Sequence, residues 1–142
     1  MIYIENLTFD KQLSVLKYLS KIEELEMIIW LFPESKIRSI CGINLAPRNL
    51  IEGESVTTYD DGYVTHKTKR LKVTVDLLDK IQNAKEKIFS DCDSLVLYRP
   101  KHKQWMSCLI TNENIVMVND DSLFTMMTNQ GFNATLTAPN WW

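Results

Sequence analysis

The sequence predicts an α+β fold in which an antiparallel sheet, built from a C-terminal meander and a middle hairpin, packs against a long N-terminal helix and a second amphipathic helix. Three observations lead there. Val15, Tyr18, Leu19, Ile22, Leu25 and Ile29 recur at helical spacing, and a second helical stripe runs from Leu77 to Phe89. Three apolar runs follow, Leu95–Tyr98, Trp105–Ile110 and Ile115–Val118, separated by polar connectors that hold Pro100 and Asn112-Glu113-Asn114.

Ile2 and Ile4 open the chain as a short strand. Thr8 or Asp10 then offers a side-chain oxygen to the free first-turn amides of a helix that begins near Lys11. Pro33 ends it, because proline lacks the amide hydrogen and disfavours helical geometry in the residue before it. Met27–Phe32 is read as the end of this helix, although a short apolar run also suits a buried strand.

Between Pro33 and Gly53 the pattern is broken by Gly42 and Pro47, and loops with short pieces are expected. Asp60-Asp61-Gly62 lies between Ser55–Tyr59 and Tyr63–Lys67, and its Asp-Gly step suits the positive backbone angles of a tight hairpin. Leu71, Val73 and Val75 alternate with Lys72 and Thr74, which is the period of a strand with one wet face.

Asp76 is read as the cap of the second helix, whose apolar side carries Leu77, Leu78, Ile81, Ala84, Ile88 and Phe89. Two of the three later runs are nearly all apolar, so the meander strands should be covered on both faces. Asp120-Asp121 caps a last short helix with Leu123, Phe124 and Met127, and Gly131 ends it in a left-handed conformation. Phe132 to Trp142 is an extended tail.

Composition bounds the function. With 142 residues, 45% apolar and 24% charged, the chain fits one domain over 1–142. A net charge of -2 creates no long-range attraction for nucleic acid or anionic lipid. No apolar run approaches the ~20 residues that cross a bilayer, and the N-terminus lacks a basic stretch followed by an apolar leader. The expected setting is therefore the cytoplasm, away from membranes.

Enzyme chemistry has little to stand on. The two histidines, His66 and His102, sit among lysines outside any metal-binding spacing, and the three cysteines form no Cys-x-x-Cys pair. Four glycines supply no phosphate loop or nucleophile elbow. Carboxylate pairs at Asp60-Asp61, Asp91/Asp93 and Asp120-Asp121 suit turns and caps. No enzyme activity, cofactor or metal is expected; Cys108 with His102 is the one nucleophile and base worth weighing, and six residues of separation do not bring them together.

Two other features bear on binding. Lys67, Lys69, Arg70 and Lys72 form one basic block, and Arg99, Lys101 and Lys103 another, but neither is interleaved with base-stacking aromatics, and both read as solvated faces. Trp141 and Trp142 close the chain, where tryptophans either dock back or serve as contact anchors.

Length, mild acidity, the α+β plan with its late meander (Leu95 to Val118) and the lack of an enzyme motif give the chain a global form. In that form it resembles the small immunity proteins of bacterial contact-dependent growth inhibition and related polymorphic toxin systems. The resemblance implies a cytoplasmic protein that binds and neutralises one cognate toxin domain, often a nuclease. Acidic groups would then face a basic cleft, since opposite charges speed association. Asp60, Asp61, Asp120, Asp121, Trp141 and Trp142 are the expected contact residues. The alternative is a small nucleic-acid-binding or regulatory protein that uses the basic block at 67–72.

Overall fold

A computed structural model of the chain describes residues 1–56 and 66–142. The hairpin expected around Asp60-Asp61-Gly62 lies outside the described residues.

Strand β1 (Ile2–Ile4) leads into helix α1 (Phe9–Ile22). Thr8 caps α1, its hydroxyl accepting from the Lys11 amide, and Asp10 adds a negative charge to the positive end of the helix. Phe9, Gln12, Leu13, Val15, Leu16 and Leu19 are buried, a stripe at three- and four-residue spacing. Extended geometry at Glu23 (φ -155, ψ 158) ends the helix ten residues before Pro33.

Met27–Phe32 is therefore not helix, and this corrects the sequence expectation. Glu26–Leu31 forms strand β2. Leu25, Met27, Ile29 and Leu31 pack into the cluster beneath the helices, whereas Ile28 and Trp30 pack into a second cluster on the opposite face. Both faces are covered, so polarity carries no alternation along the segment, and the Leu25/Ile29 spacing imitates a helix.

A small separate hairpin follows, β3 (Ser39–Ile40) and β4 (Ile43–Asn44), in the region expected to hold only short pieces. Cys41 (φ 53) and Gly42 (φ 75) make its two-residue turn, and left-handed angles at both positions match the twist of paired strands. Strand β5 spans only Leu71–Lys72, shorter than the alternation up to Val75 suggests. Thr74, not Asp76, caps helix α2 (Val75–Asn83), its hydroxyl accepting from the Leu77 amide. The single second helix is in fact two, since Ala84 (φ -100, ψ 23) separates α2 from α3 (Lys85–Asp91).

The meander matches its expectation closely: β6 (Cys92–Tyr98), β7 (Trp105–Ile110) and β8 (Ile115–Val118) pair antiparallel in sequence order. Asp120 caps a 3-10 turn at Asp121–Leu123 that runs into α4 (Phe124–Asn129), and Gly131 (φ 100) follows as the left-handed stop. The tail adds one short strand, β9 (Ala134–Thr135).

These strands form a seven-stranded sheet in the order β5-β2-β6-β7-β8-β1-β9, with every described pair antiparallel. Helices α1 to α3 cover one face over Ile2, Ile4, Met27, Ile29, Leu95, Leu97 and Leu109. The other face carries Tyr3, Ile28, Trp30, Val96, Tyr98, Cys108 and Met117, also buried, with Val56 packed among them. All seven β6 residues are buried, as expected for a central strand with both faces covered.

Two devices hold this frame. The segment from His66 to Val73 closes the outer edge of β2: the Leu31 amide donates to His66 O, Ile29 and Thr68 exchange bonds, and the Val73 amide donates to Leu25 O. Buried Gln12 reaches from α1 to the β7–β8 connection, where its Nε2 donates to Ile110 O (3.1 Å) and Ile115 O (3.0 Å). Among the described residues, no helix is long and apolar enough to cross a membrane.

Candidate functional site

Antiparallel pairing brings one end of each central strand to a common edge. Glu26 opens β2 opposite Tyr98, and Tyr98 closes β6 opposite Trp105. Asn119 and Asp120 leave β8 at the same end, since Ser107 pairs with Val118.

Arg99 is the hub of this end. Its Nε and Nη2 donate to the two carboxylate oxygens of Glu23 (2.6 and 3.2 Å), and Nη2 also donates to Asp120 Oδ2 (2.6 Å). The two carboxylates hold its guanidinium in the charged form. Asp120 is held below the usual carboxylate range by hydrogen bonds from Ser122 and then by Arg99. Asp121 pairs with the amino group of Met1 and keeps a side chain that is 63% exposed.

Arg70 is the second cation turned inward. It donates from Nη1 to Glu52 O and His102 O, and from Nη2 to Arg99 O. Its Nε lies 2.9 Å from Glu26 Oε1, at an angle that makes an ion pair rather than a hydrogen bond. Lys67 is also buried, with Nζ donating to Pro47 O and Arg48 O; burial pushes its pKa down while the Glu52 carboxylate works against that shift.

The basic block of the sequence is thus divided. Lys67 and Arg70 are internal fasteners, and Lys72 lies 3.8 Å from Glu24. In the second block Arg99 is neutralised, while Lys101 and Lys103 stay exposed. Nothing in a single sequence marks these lysines and arginines as internal, because their partners lie 18 to 76 residues away.

The remaining chemistry-bearing groups are dispersed. Cys108 is fully buried on the sheet face, and burial drives its thiol pKa upward, which keeps it protonated. His102 is exposed, with its backbone carbonyl taken by Arg70. Burial likewise raises the thiol pKa of Cys92 and, less strongly, of Cys41. Among the described residues, no group of three or more His, Cys, Asp or Glu side chains is placed to hold a metal ion.

Of the expected contact residues, Asp120 and Asp121 sit side by side at the polar end, and Asp60 and Asp61 fall outside the described residues. Trp141 (50% exposed) and Trp142 (47% exposed) pack edge to face at 6.1 Å. Pro139 beside them is buried, and the Trp142 amide donates to its carbonyl. The tail is anchored by its proline rather than by its indoles. No protein-family model, curated protein or solved structure matches the chain.

Proposed function

We propose that the chain is a protein-binding module of the immunity type, which captures and neutralises a cognate toxin domain. The observation that carries this reading is the C-terminus: an anchored tail presents two paired indoles at half exposure. Tryptophan concentrates binding energy because its large rigid surface is buried at small entropic cost. Asp121 adds an exposed carboxylate, and Asp60 and Asp61 extend the acidic set by sequence. The inward turn of Lys67 and Arg70 removes two of the four cations on which the nucleic-acid reading relies.

The test is co-expression with the toxin domain encoded beside this chain in its genome. The expected result is restored growth and a complex that survives high salt. Growth arrest despite abundant, folded chain would overturn the proposal. Nucleic acid that co-purifies and is lost as salt rises would transfer the function to the exposed lysines.

A further inference from the structure

A cleft of about 420 Å³ opens between the β1–α1 connection, the first turns of α1 and the link from α4 to β9. This volume falls within the range of small-molecule sites, ~300–1,000 Å³. Ile4, Leu7 and Phe132 give it an apolar wall, and Phe132 is steadied by the Tyr18 ring at 5.5 Å. Lys11 and Glu5 line it with opposite charges, and Asn6 and Asn133 line it with carboxamides.

Among the described residues, none of these four polar side chains makes a hydrogen bond or ion pair. Asn6 (φ 59) and Gly131 (φ 100) are both left-handed, so the two walls turn sharply where they meet the cleft.

We propose that this cleft binds a small zwitterion with an apolar body, the chemistry of a free apolar α-amino acid. A simple anion would meet Glu5 and a simple cation Lys11, whereas a molecule carrying both charges satisfies each side chain. A purely apolar molecule would strip water from four polar groups and return no hydrogen bonds. The carboxamides each offer donors and an acceptor, which suits a ligand that has both. The apolar body would lie on Leu7 and Phe132. This inference is independent of the proposed function, since neither Trp141 nor Trp142 lines the cleft.

The test is a titration of the full chain with L-leucine and L-phenylalanine, followed by amide NMR, with the uncharged N-acetyl-L-leucinamide as control. Shifts confined to Leu7, Lys11, Ser14 and the 131–133 link are expected. Lys11→Gln and Glu5→Gln are expected to weaken binding about tenfold each, the usual effect of removing one charge-assisted contact. Both changes are at the surface of the fold, and unchanged spectra elsewhere would show it intact. Equal binding of the uncharged control, unchanged affinity in both variants, or no localised shift at about 10 mM, a concentration that reveals even millimolar affinity, would overturn the proposal.

Discussion

The Arg70 guanidinium lies 4.9 Å from the centroid of the Tyr98 ring, and this pairing fastens three separate segments together. Arg70 bonds the 52–54 loop through Glu52 O and the β6–β7 turn through Arg99 O and His102 O. Tyr98 bonds the same loop, its hydroxyl donating to Glu54 O (2.6 Å) and accepting from Trp30 Nε1 (3.2 Å). Burial raises the Tyr98 phenol pKa, so it stays protonated as the donor to Glu54. Arg70→Met should cost about 2–3 kcal/mol, because it leaves two part-buried carbonyls, the His102 carbonyl and Glu26 without their cation. Tyr98→Phe should cost about 1–2 kcal/mol by removing one hydroxyl that serves two partners. Urea unfolding of both variants checks the order; an equal and negligible loss would show that the clamp contributes nothing.

Among the described glycines, Gly53 is the one whose missing side chain is required by packing. A β-carbon there would stand 2.6 Å from Cε1 of Tyr98, far inside contact distance, on a ring held by two hydrogen bonds. Gly53→Ala should destabilise by about 1–3 kcal/mol through overpacking. Gly42→Ala meets no neighbouring atom and suffers only its left-handed angle, so about 1 kcal/mol is expected. Thermal melts of the two variants should rank them in that order, and the reverse ranking would remove the contact argument.

Acid should weaken the fold in two steps. His66 is half-buried beside Arg48, whose Nη2 lies 3.0 Å from its Nε2, and partial burial followed by the Arg48 and Lys67 charges lowers its pKa. The folded state therefore binds this proton less readily than the unfolded state, so stability falls as pH drops below the ordinary histidine value of about 6.5. Asp120 has a lowered pKa in the folded state, so its contribution is present above the ordinary carboxyl value of about 3.9 and fades below it. His66→Gln should flatten the limb of the stability profile that begins just below the ordinary histidine value of about 6.5, and Asp120→Asn should flatten only the limb below about pH 4. A mutant profile parallel to the parent in its own window would contradict the assignment.

How far the fold was legible varies by element, for physical reasons. The meander could be read because Pro100 and Asn112-Glu113-Asn114 separate its apolar runs at strand length. β2 could not, because cover on both faces removes the alternation that distinguishes strand from helix. The break at Ala84 carries no glycine or proline to announce it. At the polar end, the caps at Thr8 and Asp120 follow from local chemistry, but the pairing of Arg99 with Glu23 spans 76 residues and leaves no local trace. Lys67 and Arg70 read as surface charge for the same reason, since burial of a cation depends on carbonyls and carboxylates contributed by distant segments.

Buried Gln12 makes a similar long-range bond and supplies a separate test of the core. Gln12→Leu keeps much of the volume but leaves Ile110 O and Ile115 O without their shared donor, which should cost about 2–3 kcal/mol. Hydrogen exchange should then quicken first around 110–115, where the turn is no longer tied to α1. Uniform exchange across the sheet would instead indicate that the turn holds itself.

The terminal indoles separate function from stability. Trp141 and Trp142 each keep about half of their surface exposed while Pro139 anchors the tail, so little of the core depends on them. Replacing both with alanine should change folding stability by less than about 1 kcal/mol, as is usual for exposed positions. The same change should weaken capture of the cognate toxin domain by about 30-fold or more, since each interfacial tryptophan commonly contributes over 1 kcal/mol. Asp121→Asn should slow association and reduce its salt sensitivity while leaving dissociation nearly unchanged, the behaviour of a charge at the rim. Surface-based binding kinetics at two salt concentrations distinguish these effects. Full protection by the double alanine variant would exclude the indoles from the interface and direct the search to the acidic residues.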